Sequence, residues 1–352
     1  MPLRTLSPIN IGFIGHVARY APSSTSVSDE ILHPFISTNF KHLLKKTESL
    51  VMLAYLISAY CDPDHLARLI AALDHEADFY VHIDANVDDA PFRRLLPAKV
   101  HFVPRHHVSW GGWEQVAYQY ELIKAAVNSG QGYTHLVCLS GQDYPLWSNH
   151  RIHSFFMQND EREFIGGYNL THTDNKDQLH KITRYHPLRD LPLRCTWLKN
   201  KLVVASRTLL ALLGAHRQPQ VLINGVRRDV FFGSDYWAIT LDCARYVKRT
   251  LEHNPAMVRF FRTTFVPSEL CIQTIIYNSP YAKRAMLYKG SFPGLVQLTP
   301  LHYLFYQGSV KALTMDDWLM LCESDKMFCR KVVSAKSDAL MREMDEARAQ
   351  NH

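Results

Sequence analysis

The clearest pattern of apolar and polar positions lies in residues 132–147, GYTHLVCLSGQDYPLW. From Tyr133 to Leu139 the chain is mostly apolar, with His135 and Cys138 as the exceptions, and reads as a buried strand. The small pair Ser140-Gly141 then turns it, and Gln142 and Asp143 precede Tyr144-Pro145. A proline two residues past the acid stops the strand and biases Tyr144 toward an extended backbone. An amide and a carboxylate are therefore expected at the carboxyl end of an apolar strand, where open α/β sheets bind ligands. The bland alternative is an aspartate in an ordinary turn.

Similar runs lie upstream. Residues 51–60, VMLAYLISAY, are continuously apolar over a strand's length. Asp62-Pro63-Asp64 follows, and proline suits a helix start. Leu66, Leu69, Ile70 and Leu73 then recur at helical spacing. Residues 79–84, FYVHID, predict a second strand and residues 100–103 a third. Residues 112–128 predict an amphipathic helix before the strand already described. Strands alternating with helices predict an α/β fold with a parallel-type sheet flanked by helices. No GxGxxG follows the first strand and no GxxxxGK[ST] occurs, so neither a dinucleotide site nor a P-loop is expected.

The carboxyl-terminal half is less regular. Residues 231–241, FFGSDYWAITL, read as one strand. Helices are expected over 194–213, 244–252, 255–262, 269–277 and 314–321, the last capped by Thr314 with Asp316-Asp317 in its first turn. Residues 1–49 are rich in Ser, Thr and Pro and read as a loosely attached extension with one helix near 31–44. The expected organisation is this extension, a domain over 50–333 and a charged helix within 334–352.

Composition narrows the class. Of 352 residues, 47% are hydrophobic and 20% charged, which fits a globular core. The net charge of +6 suits an anionic ligand such as a sugar nucleotide, or an acidic membrane face. It is too diffuse for nucleic acid, and no RNP, zinc-finger or helix-turn-helix signature appears. Seven scattered cysteines without a CxxC read as free thiols in a reducing compartment. No apolar run reaches ~18 residues and no leader pattern opens the chain, so a cytoplasmic protein without a membrane span is expected.

Five stretches in order carry a resemblance: AYLISAY with HLARLIAAL, FYVHIDAN, VSWGGWEQVAYQYELIKAA, LVCLSGQDYPLWSN, and GSDYWAIT with TTFVPSELCIQTII. A weaker sixth is KALTMDDWLMLCESDKMFCRKV. Together they span roughly residues 52–333, and the chain resembles the core-2/I-branching β-1,6-N-acetylglucosaminyltransferase family, which includes peptide O-xylosyltransferases and bacterial members. The resemblance implies a GT-A-type fold with an irregular acceptor-side second half. It also implies an inverting reaction and a UDP-sugar donor used without a metal ion. UDP-GlcNAc is the first expected donor, with UDP-xylose or another UDP-hexose as the alternative. The acceptor is a hydroxyl of a glycan or related molecule, and the product is β-linked; the alternative is a catalytically silent carbohydrate- or nucleotide-binding protein on the same scaffold.

Site residues follow from the same resemblance. Glu269 matches the catalytic base, although Ser268 stands where the family has Asp. Inverting transfer needs one carboxylate to take the acceptor's proton and no enzyme nucleophile. The alternative is a glutamate stabilising a helix start. Ala59, Tyr60 and Cys61 match the backbone framing the donor base, Asp84 the acid holding the nucleoside, and Trp110 a ring near the uridine. Lys311, Arg330 and Lys331 match the basic positions that would clamp the diphosphate, Lys331 best of the three. The alternative for them is solvated basic residues, with Arg330-Lys331 favourable at a helix end. Gln142 and Asp143 fall where the fold's usual DxD metal motif would come, and with one acid they fit acceptor hydrogen bonding better. Trp237 and Arg184 match acceptor-side positions, with core packing the alternative for Trp237. Asp62 and Asp64 form a literal DxD but sit at an expected helix start. The helix carrying Arg194, Lys199, Lys201 and Arg207 could touch an anionic membrane; docking against the domain, basic residues outward, is the favoured reading.

Overall fold

In the computed structural model, residues 52–350 are described apart from Arg194 and Gln307. The 1–49 extension, its expected helix and Arg194 thus lie outside the described residues. The chain runs β1 (Leu53–Ala59), α1 (Pro63–Leu73), β2 (Ala77–Ile83), α2 (Ala90–Leu95), β3 (Val100–Phe102), α3 (Glu114–Asn128) and β4 (His135–Ser140). It continues through β5 (Asp143–Pro145), α4 (Asn149–Gln158), β6 (Gly166–Asn169), α5 (Lys176–Thr183) and α6 (Thr196–Leu212). Next come β7 (Gln220–Ile223), β8 (Val226–Asp229), β9 (Phe231–Gly233), β10 (Ala238–Thr240), α7 (Leu241–His253) and α8 (Pro255–Phe261). The last part holds a 3-10 turn (Pro267–Glu269), α9 (Cys271–Tyr277), β11 (Met286–Tyr288), β12 (His302–Leu304), α10 (Trp318–Cys322), β13 (Phe328–Arg330) and α11 (Asp338–Gln350).

The central sheet has the order β10-β4-β1-β2-β3, with β10 antiparallel and the other four parallel. Both of its faces are covered, which explains the unbroken apolar runs of β1 and β4. Ala54 and Leu56 enter one core while Leu53, Tyr55 and Ile57 enter the other, the period of two that a pleated strand imposes. Helices α3, α7, α8 and α9 cover the first face; α1, α4 and α11 cover the second. Helix α11 contributes Leu340, Met341 and Met344 to that second core, and its Arg348 donates to the carbonyls of Trp147 and Ala72.

The helix start at Asp62 forms as expected. Its side chain accepts from the backbone N–H of His65, and Pro63 opens α1. Ser334 also donates to Asp62 through its backbone and hydroxyl, so this acid ties α1 to the segment before α11. Thr314 caps its helix through a reciprocal capping box with Asp317.

One expectation needs correction. Residues 231–241 are not one strand. Strand β9 pairs with β6, whereas β10 pairs with β4 in the central sheet. The intervening Ser234-Asp235-Tyr236-Trp237 crosses between sheets, because polar Ser234 and Asp235 interrupt the apolar run.

Candidate active site

The carboxyl ends of β1, β2 and β4 converge on a cavity of about 410 Å³. Ser58 and Tyr60 come from β1 and its extension, Asp84 follows β2, and Leu139 and Ser140 end β4. The rest of the lining comes from α3 (Gln115, Tyr118, Gln119), the crossover (Asp235, Tyr236), Trp110 and Arg330. The turn after β4 must run close to β1. A Cβ on Gly141 would lie 2.6 Å from that of Ala59, so only glycine allows this approach.

The donor-side expectations fall into two groups. Asp84, Tyr60, Trp110 and Arg330 line the cavity. Asp84 accepts three bonds on Oδ1, from Val108 N–H and from the backbone and side chain of Asn86. Trp110 is 72% exposed and stands edge-on to Phe265 at 5.3 Å between centroids, so its ring is available for stacking. Ala59 is buried and is not among the cavity residues; its carbonyl accepts from Asp84 N–H. Burial and Asp62 push the Cys61 thiol up, and Lys331 and Arg330 partly oppose them, which places both cations near Cys61. Lys311 lies apart from the cavity lining and forms an ion pair with Asp317 at 2.7 Å.

The acceptor-side expectations are largely corrected. Asp143 is fully buried: Ser140 donates to it from backbone and hydroxyl, and Arg330 from Nη1 at 3.0 Å. It holds a cation rather than meeting a sugar. Gln142 is 5% exposed, and its Oε1 accepts from Tyr60 Oη at 3.2 Å. Trp237 has no exposed surface and fills the first core, so it cannot stack on a sugar. Arg184 is exposed where α5 ends and is not among the cavity residues.

Glu269 ends the 3-10 turn that leads into α9. Val266, just before that turn, sits at φ 49°, a left-handed conformation that strains a β-branched residue. Such strain persists only where packing enforces it, and here it aims the turn carrying Glu269. Burial raises the Glu269 pKa well above the ordinary carboxylate range; the Asp235 carboxylate raises it further, and Lys181 opposes. The Asp235 pKa is also raised by burial, against hydrogen bonds from Ser268 (3.3 Å) and Gln119 (3.5 Å). Ser268 therefore supplies a hydroxyl donor to Asp235, where a family-type Asp would add a third carboxylate. Asp235 lines the cavity and Glu269, which is not among the lining residues, feels its charge; raised pKa values of this kind mark both as candidate acid–base groups.

Sequence reasoning missed Asp235, Tyr236, Lys181, Ser58 and Gln119. Asp235 had a faint signal, as an acid interrupting an apolar run. Ser58 was the one small polar side chain in its strand's apolar run. Lys181 had none. Gln119 is 1% exposed, and its Oε1 has no hydrogen-bond partner among the described residues, leaving an unused acceptor in the cavity wall. Behind the wall, His82 Nε2 accepts from His106 N–H, so Nδ1 bears the proton and donates to Ser58 Oγ. Burial, with His106 and Arg105, lowers the His82 pKa to about 3 and keeps the ring neutral.

Among the described residues, no group of three or more His, Cys, Asp or Glu side chains could hold a metal ion. Asp62 is committed to its cap and Ser334, and Asp64 is exposed on α1.

A parallel sheet whose strand ends meet a crossover acid and a basic strand end is a GT-A-like arrangement. The Core-2/I-Branching enzyme family model matches residues 53–289, and the chain belongs to that family. Xylosyltransferase 2 of Rattus norvegicus is 24% identical over 242 residues, covering 66% of this chain and 25% of the relative. Xylosyltransferase 2 of Mus musculus is 24% identical over 225 residues, 61% of this chain and 23% of that protein. Xylosyltransferase oxt of Drosophila melanogaster is 23% identical over 224 residues, again 61% and 23%. The chain thus matches about a quarter of the length of these curated relatives.

Proposed function

We propose that the chain is an inverting glycosyltransferase that moves a sugar from a UDP-sugar to a hydroxyl of a glycan or related acceptor. The observation that carries this reading is the carboxylate pair Glu269–Asp235, of which Asp235 lines a cavity that also displays Arg330. In the transfer step the acceptor oxygen bonds to the anomeric carbon as that carbon's bond to the diphosphate oxygen breaks. The hydroxyl proton passes to Glu269, and the bonding pair leaves with UDP.

The raised pKa suits this role, because a base poised near neutrality accepts a proton more readily than an ordinary carboxylate. Asp84 and Trp110 would hold the nucleoside. Arg330 and Lys331 would offset the charge that develops on the diphosphate, in place of a metal ion. UDP-GlcNAc is the first donor to test, and the names of the relatives put UDP-xylose beside it.

The deciding experiment is Glu269→Gln, which keeps shape but removes the base. We expect kcat to fall by about 10²–10⁴-fold, with UDP affinity by calorimetry unchanged. A folded variant that binds UDP normally and turns over near the parent rate would reject the mechanism.

A further inference from the structure

Helix α6 turns its apolar stripe to solvent. Leu198, Leu202, Ala205, Leu209 and Leu212 recur at three- and four-residue spacing and so share one face. A stripe of this kind normally faces a core, but here Leu202 is 38% exposed, Leu209 57% and Leu212 81%. Trp197 and Val204 are exposed beside it. None of the helix's described side chains is buried; the half-buried ones, Lys199, Val203, Ser206, Arg207 and Leu210, lie on a different face. This corrects the expectation of a helix docked by its apolar face.

The charge pattern is as one-sided. Residues 191–228 contain no Asp or Glu but seven Lys and Arg, Lys199, Lys201 and Arg207 among them. The whole chain balances 39 Lys and Arg against 33 Asp and Glu, so composition does not account for the run. The Lys201 ammonium rests 4.0 Å over the Trp197 ring, joining a cation to an aromatic at the amino end of the helix. Exposed leucines, an aromatic and acid-free cations are the chemistry of a helix lying in a lipid headgroup layer.

We propose that α6 docks on the surface of an anionic phospholipid membrane, with its leucine stripe among the acyl-chain ends and its exposed Lys201 against lipid phosphates. A second copy of the chain would cover the leucines but would set two acid-free cationic helices against each other. Docking would also orient the cavity. Lys199 donates to Ser109 Oγ beside Trp110, and Arg189 donates to the Trp110 carbonyl at 3.2 Å, so α6 is tied to the cavity rim. A sugar acceptor anchored in that membrane would then meet the site directly. Only this last step rests on the proposed sugar transfer.

The test is flotation of the full chain with phosphatidylcholine vesicles, with or without phosphatidylglycerol, at low and high salt. Binding is expected to the mixed vesicles, weakened by salt, and little to phosphatidylcholine alone. The double substitution L202Q/L209Q, at exposed positions with a good helix former, should keep the circular dichroism spectrum and cut binding roughly tenfold or more. Lys201→Glu should also weaken binding, and serves if the double variant fails to fold. Absence of parent binding to mixed vesicles overturns the proposal, as does binding that neither substitution reduces. A parent that ignores vesicles and sediments as a dimer, becoming monomeric as L202Q/L209Q, overturns it in favour of a second copy. A chain inactive in sugar transfer that still floats, and loses flotation in the variants, upholds docking and counts against the transferase reading alone.

Discussion

Arg330 Nη1 lies 3.0 Å from Asp143 Oδ1 at the register position where β13 pairs with β5. Asp143 has no exposed surface, whereas the Arg330 side chain keeps 16% and borders the cavity. Burial alone would raise the Asp143 pKa, but His302 and Arg330, with Ser140, bring it down to about 2. The carboxylate is therefore ionised and aims the guanidinium. Tyr236 packs on the same group, 4.9 Å from ring centroid to guanidinium carbon.

Asp143→Asn should accordingly do two things. It leaves a mostly buried guanidinium without its counter-charge, costing about 3–5 kcal/mol of stability in denaturant titration. It should also weaken UDP binding, because Arg330 loses its fixed direction. Lost stability with full UDP affinity would show that Arg330 does not serve the diphosphate.

The two candidate lysines should differ. Lys311 is engaged by Asp317 at 2.7 Å, while no ion pair engages Lys331 among the described residues. Lys331→Ala should weaken UDP binding by roughly 1.5–3 kcal/mol, the worth of a hydrogen bond to a charged group. Lys311→Ala should leave calorimetric UDP affinity within error. The reverse result would exchange their roles.

The activity profile should reflect the carboxylate pair. Glu269 accepts a proton only when ionised, so kcat/KM should rise with pH through a pKa above the ordinary carboxylate range. Asp235→Asn removes the neighbouring negative charge and should move that limb to lower pH. Lys181→Met removes the opposing cation and should move it to higher pH. A limb that neither substitution shifts would assign the titration to another group.

Acid stability should be governed by buried histidines. Burial lowers His82 to about 3 and His135 and His186 to about 4, against 6.5 when unfolded. Below pH 6.5 the unfolded chain takes up protons that the folded chain refuses, so stability falls as pH drops toward those folded values. Each such group contributes a slope of about 1.4 kcal/mol per pH unit inside its window. Equal unfolding midpoints at pH 7.5 and pH 5 would contradict this; Asp143 stays ionised at both and contributes no slope.

Metal independence is expected of the transfer itself. Excess EDTA should leave the rate of transfer or donor hydrolysis unchanged. A strict need for Mn²⁺ or Mg²⁺ would reassign Asp62, Asp64 or Asp143.

Local pattern carried the first four strands, the helix start at Asp62, the Thr314 cap and the turn before Glu269. Each depends on residues a few positions apart: apolar periodicity, a proline, a capping side chain. The order of the motifs carried the family, and the resemblance put Glu269 forward as the base to test. Tertiary structure alone decided the rest. Trp237 and Asp143 look available in sequence, yet two sheets close over one and β13 pairs across the other. Asp235 and Lys181 reach Glu269 only through the crossover from β9 to β10 and the packing of α5. The leucines of α6 look like a core face in sequence; among the described residues no partner element covers them. Spacing along the chain records which residues share a face, but what that face meets is set by contacts far apart in sequence, which no local pattern encodes.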